Sequence, residues 1–156
     1  MKFLPLLPEA QNDYQGHKAV VVLAVLLAIY STVPALIHIF FPDGGSNVLA
    51  GLVIPGDANS AIIFTFGWAG LYQLIFAIIQ WIVLIRYRKF IPLILLLLFF
   101  EYVGMFLLPM FKPMAPSLLT HTPPEVFKNR VLLPLSLVLF FVSLISAPER
   151  KSKAGS

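Results

Sequence analysis

Residues 61–111 read AIIFTFGWAGLYQLIFAIIQWIVLIRYRKFIPLILLLLFFEYVGMFLLPMF. Two long apolar runs flank the turn Arg86-Tyr87-Arg88-Lys89, and within both runs the one formal charge is Glu101. A helix needs about 20 predominantly apolar residues to cross the roughly 30 Å hydrocarbon core of a bilayer. The stretch therefore predicts two antiparallel membrane helices joined by a tight basic turn.

The rest of the chain continues the pattern. Of 156 residues, 59% are hydrophobic and only 12% charged, with a mean hydropathy of +0.90, whereas soluble domains are about a quarter charged. Such a composition excludes a soluble enzyme and a disordered chain. The net charge of +4 arises from Lys and Arg at segment ends, not from a basic stripe, which argues against a nucleic-acid partner. Absence of cysteine removes thiolate chemistry and Cys-ligated metals.

Further apolar runs at 19–41 and 131–147 bring the number of spans to four. Thr122-Pro123-Pro124-Glu125 has capping-box spacing, which moves the start of the fourth helix back to about Pro123. Asp57, Asn59 and Ser60 are candidate N-caps for the second helix. The predicted fold is all-α: an integral membrane four-helix bundle with helices at 19–41, 61–85, 90–111 and 123–147. An interfacial N-terminal arm, 1–18, is broken by Pro5 and Pro8, and a basic tail covers 148–156.

Eight of the eleven basic residues (Lys2, Lys18, Arg86, Arg88, Lys89, Arg150, Lys151 and Lys153) fall on one side of this arrangement. Lys112, Lys128 and Arg130 fall on the other. Basic flanks face the cytoplasm, so both termini are expected there. The first loop, with the apolar run 48–54, is expected to fold back onto the membrane surface.

Helices in lipid associate through small residues and shared hydrogen bonds. Ala24, Ala28, Ser31, Ala35 and His38 form such a stripe on the first helix, Gly70, Gln73, Ala77 and Gln80 on the second, and Asn129, Ser136, Ser143 and Ala147 on the fourth. The third contributes Glu101 and Gly104, three residues apart on one face. Span midpoints place Tyr30, Gln73 and Glu101 at one depth, which predicts a midplane polar cluster of Tyr30, Ser31, Gln73 and Glu101, joined by Tyr102 and Tyr72. His38 lies about two turns outward from it. A charge at the bilayer centre costs roughly 3 kcal/mol, so Glu101 is expected to keep its proton and to bond Gln73 and Tyr30. Three readings stay open for Glu101: structural glue, a site that meets a ligand or exchanges a proton, and lipid exposure at an oligomer contact. Trp68 and Tyr72 are expected to fill the core in preference to lining a pocket, and Trp81, Tyr87 and Phe90 to sit in an aromatic belt.

No ligand pair has helical metal-binding spacing, so no metal site is assigned. No phosphate-binding, GxSxG, HExxH or SxxK pattern occurs, so no catalytic residue is named and no cofactor is assigned.

The order of the helices, the outer loop ending Leu52-Val53-Ile54-Pro55-Gly56, the glycine-marked second helix and the Arg86-Tyr87-Arg88-Lys89 turn resemble the DoxX-like four-helix membrane proteins over most of residues 19–147. The resemblance implies a small bacterial inner-membrane protein, often accessory to membrane redox systems, and carries over no site residue. The expected function is an accessory or lipophile-binding subunit, for quinone or lipid, that is not itself an enzyme. Its expected partners are the bilayer, a lipophilic small molecule, and further copies or a larger membrane complex. The alternative is a membrane enzyme or proton-coupled transport component in which Glu101 exchanges a proton.

Overall fold

The computed structural model describes residues 7–53 and 56–147. The first six residues of the arm, Ile54, Pro55 and the basic tail lie outside them. The described residues form four α-helices and no β-strand: α1 Lys18–Phe40, α2 Ala58–Arg86, α3 Ile91–Phe111 and α4 Pro124–Ser143. Each is long and apolar enough to cross a membrane. α1 packs along α2 and α3 along α4, with fewer contacts between the two hairpins.

Small residues set the approach of the first pair. Ala24, Ala28 and Ala35 of α1 and Gly70 and Ala77 of α2 are buried. A Cβ on Gly70 would stand 2.7 Å from the His38 Cβ and 2.9 Å from the Ala35 carbonyl oxygen. Only glycine permits that contact between the two backbones. The stripes on α1 and α2 thus face the interior, and so do Asn129, Ser136 and Ser143 on α4. Gly104 does not: it is exposed, and a Cβ there would meet nothing within 4 Å. The inward line of α3 runs instead through Ile91, Ile94, Leu95, Leu98 and Tyr102.

The close-packed core is one-sided. It joins Val20, Leu27 and Ala28 from the first part of α1 and Val83 and Leu84 from the end of α2. Ile94, Leu95 and Leu98 from the first part of α3 and Leu139 from late α4 complete it. All of these lie in the half of the bundle where the two described termini meet, since Gly16 pairs with Ser146. Leu, Ile, Val and Phe are exposed along the outer faces of all four helices, among them Val22, Phe64, Leu97 and Phe141. A soluble monomer rarely carries so much contiguous apolar surface.

The arm spans that closed end and serves the helix termini. The last carbonyls of a helix have no partner within it, and here the arm supplies donors. Gln11 N–H donates to the Arg86 carbonyl at 2.7 Å, Asn12 Nδ2 to that of Ile85 at 2.8 Å, and the Tyr14 hydroxyl to that of Ser143 at 3.0 Å. In return the Tyr87 hydroxyl donates to the Pro8 carbonyl at 2.6 Å. Lys89 and Asp13 form an exposed ion pair at 2.8 Å. Tyr87 is buried by these contacts, and only Phe90 of the basic turn keeps an exposed ring.

Three expected boundaries shift for local reasons. α4 stops at Ser143, not at 147, because Leu144 and Ile145 turn with N–H bonds to Phe141 and Val142, and Ala147 N–H then reaches the Gln15 carbonyl. Pro148 follows in the sequence and disfavours helix in the residue before it. At the other end Pro123 is the N-cap of α4 and no side chain caps it, so the Thr122–Glu125 box does not form. α2 begins three residues earlier than expected, at Ala58, with Asp57 in the cap position but without a side-chain cap bond.

The first loop folds against the third. Val53 N–H donates to the Leu118 carbonyl at 2.9 Å and Thr120 N–H to that of Gly51 at 2.8 Å. Gly51 has φ +66°, and a Cβ there would run into the His121 ring at 2.6 Å. Asp43 organises the start of the loop by accepting the amides of Gly45 at 2.9 Å, Asn47 at 3.1 Å and Val48 at 2.9 Å. Of the described part of the apolar run, Leu52 is buried against the partner loop while Val48 and Val53 stay exposed.

Candidate functional site

Above the one-sided core the helices leave a cavity of about 70 Å³. That exceeds the roughly 15 Å³ a single water needs. Tyr30, Ser31 and His38 reach its wall from α1, Gln73 from α2 and Glu101 from α3. Tyr102 lines it too, whereas Tyr72 does not and is 69% exposed on the outer face of α2. Trp68 is likewise 58% exposed, one turn from Tyr72, so neither ring is in the core.

Pro34 explains part of the geometry. A proline within a helix withdraws one N–H and leaves the carbonyl four residues back, here that of Tyr30, without a helical partner. Pro34 and Tyr30 both line the cavity.

The expected bonds among Glu101, Gln73 and Tyr30 are not made. Glu101 Oε2 and Gln73 Oε1 are both buried without a hydrogen-bond partner. The bonds that tie α1 to α2 lie about two turns further along α2. Gln80 Nε2 donates to Ser31 Oγ at 3.2 Å and Trp81 Nε1 to Thr32 Oγ1 at 3.1 Å. Each hydroxyl passes its own proton back to its helix, Ser31 to the Leu27 carbonyl and Thr32 to that of Ala28. The interhelical fastening thus involves neither Gln73 nor Glu101, and Gln80 Oε1 within it is itself buried without a partner.

His38 is anchored at the outer rim. Its Nδ1 lies 2.6 Å from the Gly44 carbonyl oxygen, an acceptor only, so Nδ1 carries the proton and donates. The ring stands edge-on to Phe66 with centroids 5.2 Å apart.

Two further polar residues come from α4. Glu125 and Asn129, four apart and so on one helical face, both line the cavity. Extending the Asn129-Ser136-Ser143 stripe back by one turn finds Glu125, but its apparent capping role obscures this in the sequence. Lys128 stands 3.8 Å from Glu125 and 5.5 Å from the Tyr30 ring centre, outside the cavity wall. Among the described residues no three His, Asp or Glu groups converge as a metal site would require.

A groove of about 500 Å³ adjoins the cavity between α3 and α4 and shares Met105, Glu125 and Asn129 with it. Its other walls are mainly apolar, with Phe106, Leu108, Pro109 and Met110, and Arg130 at its edge. The arrangement offers a small polar chamber beside an apolar channel. The chain matches no protein-family model, no curated protein and no solved structure.

Proposed function

We propose that this chain is an integral membrane protein that binds a lipophilic molecule, a quinone or a lipid. The polar head would lie in the cavity of Glu101 and Gln73, and the apolar body in the groove between α3 and α4. The observation that carries the reading is the pair of buried, unpaired oxygens, Gln73 Oε1 and Glu101 Oε2, in a cavity that continues into an apolar groove. Leaving a buried polar group unpaired costs about 1–3 kcal/mol, and a bound head could recover it. The role in this reading is a binding or accessory one. The proposal includes a bacterial inner-membrane setting with both termini inside, supported by Arg86, Arg88 and Lys89 at the closed end. The DoxX-like likeness belongs to the same proposal and rests on helix order and the two turns.

Native mass spectrometry of the protein released gently from its membrane tests this. A discrete adduct that weakens in Gln73→Leu or Glu101→Leu is the expected result. Bare wild-type protein would overturn the reading and leave a structural subunit.

A second reading has its own support. Glu101, Glu125 and His38 line one cavity whose inner end abuts the apolar core, as a proton-exchanging group reached from one side would require. In that reading Glu101→Gln abolishes a proton-coupled activity while the fold persists.

A further inference from the structure

Three features compete for a role beyond the generic lipophile site: the basic collar at the closed end, the arm across the helix termini, and the chemistry of the cavity wall. The collar serves topology, and the arm is accounted for by the carbonyls it satisfies. The cavity wall says something about its ligand.

Both unpaired buried atoms at the cavity are oxygens. An amide oxygen is an acceptor only, and a carboxylate oxygen becomes one once Glu101 gives up the proton expected on it in an empty site, as pairing with a bound cation favours. Two neighbouring protons are committed elsewhere, that of Ser31 to Leu27 and that on His38 Nδ1 to Gly44, while the Tyr30 and Tyr102 hydroxyls and the amide N–H groups of Gln73 and Asn129 also line the cavity. No Lys or Arg lines the cavity, although two carboxylates, Glu101 and Glu125, do. Lys128 offsets Glu125 from outside, and no Lys or Arg nitrogen among the described residues lies within 4.0 Å of Glu101. Tyr30, Phe76 and Tyr102 add aromatic rings to the wall, which attract cations through their faces.

An anionic head fits this wall poorly, since it would meet two carboxylates. A quinone carbonyl can accept from a tyrosine or amide of the wall, but it brings no donor to Gln73 Oε1 or Glu101 Oε2 and leaves both unpaired. A primary ammonium brings three N–H donors and a positive charge. We infer that the cavity takes a primary ammonium on an apolar body, with Glu101 and Gln73 as acceptors for its N–H groups and the groove between α3 and α4 holding the tail. The inference rests on the amphiphile-site reading above and narrows it to a cationic donor. Two sources share this chemistry, a free long-chain amine and an aminophospholipid. Only the second carries a phosphate, for which Arg130 at the groove edge is the available cation.

The test places the full chain in phosphatidylcholine nanodiscs, whose quaternary headgroups have no N–H. Dodecylamine, dodecanoate and a decyl-chain quinone are titrated calorimetrically, with empty nanodiscs subtracted, and phosphatidylethanolamine is added in a separate series. Dodecylamine is expected to bind saturably and about tenfold or more weakly in Glu101→Gln, to be weakened likewise in Gln73→Leu, and to be retained in Glu101→Asp. Each variant is first matched to the wild type in thermal midpoint. If Glu101→Gln does not fold, Gln73→Leu carries the same comparison. Arg130→Gln weakening phosphatidylethanolamine but not dodecylamine would identify the aminophospholipid as the fitting source, and equal binding of both amines in Arg130→Gln would identify the free amine. Quinone or dodecanoate binding that depends on Glu101 and Gln73, without amine binding, would overturn the donor inference and keep the amphiphile site. No binding of any probe that depends on these residues would overturn both.

Discussion

Gln80, 1% exposed on α2, donates through Nε2 to the Ser31 hydroxyl of α1 at 3.2 Å, yet its own Oε1 is buried without a partner. The fastening between the two helices is therefore half-satisfied, and the two residues should respond unequally to mutation.

Ser31→Ala leaves the Gln80 amide with neither atom paired, whereas Gln80→Met removes both polar atoms and keeps the volume. The first should cost about 1 kcal/mol, near the scale of interhelical hydrogen bonds in membranes, and the second distinctly less. Denaturant unfolding in mild detergent, run as a double-mutant cycle, measures both. Equal costs would contradict this account.

Gly70 is set by the backbone of α1. Gly70→Ala should destabilise by roughly 1–3 kcal/mol, as overpacking does, because the Ala35 carbonyl cannot move aside as a side chain can. Gly104→Ala, with open space around it, should stay within about 0.5 kcal/mol. The same unfolding measurement separates the two.

The arm should depend on its phenolic hydroxyls. Tyr14→Phe and Tyr87→Phe together remove the bonds to Ser143 and Pro8, so amide exchange at Gln11 and Ala147 should accelerate while Leu95 and Leu98 in the core stay protected. Asp13→Asn should leave both rates unchanged, since the ion pair with Lys89 is solvent-exposed and such pairs contribute little.

Acid should loosen the first loop. The amides of Val48 above all, with those of Gly45 and Asn47, hold the Asp43 carboxyl below its ordinary value of 3.8. A carboxyl whose value is lower folded than unfolded stabilises the loop above the unfolded value, and that contribution is lost as the pH falls through the folded one. The protection factors of the three amides should therefore be high at neutral pH and fall below about pH 4. In Asp43→Asn they should be low at neutral pH and change little on acidification.

Span midpoints put Tyr30, Gln73 and Glu101 at one expected height, because helical rise converts residue number into height, and the three line one cavity. Their hydrogen bonding was not legible in the sequence. Gln73 and Gln80 share a stripe on α2 seven residues apart, and only the crossing of α1 decides that Gln80 meets Ser31 while Gln73 faces the cavity. Trp68 and Tyr72 show the same limit: an aromatic ring is equally compatible with a core or a lipid-facing position, and the rotation of α2 turned both outward.

Sequence alone determined the number of helices and their approximate ends, because an uninterrupted apolar run of bilayer length must satisfy its backbone internally as helix. It also determined the small-residue faces, which follow from the 3.6-residue period. Only the tertiary structure decided that the core fills one half of the bundle and a polar cavity the other, that the arm closes the helix termini, and that among the described residues the buried oxygens of Gln73, Gln80 and Glu101 are left without donors. Those outcomes depend on helix rotation and on which residues meet across an interface, and the sequence period within any one helix does not specify either.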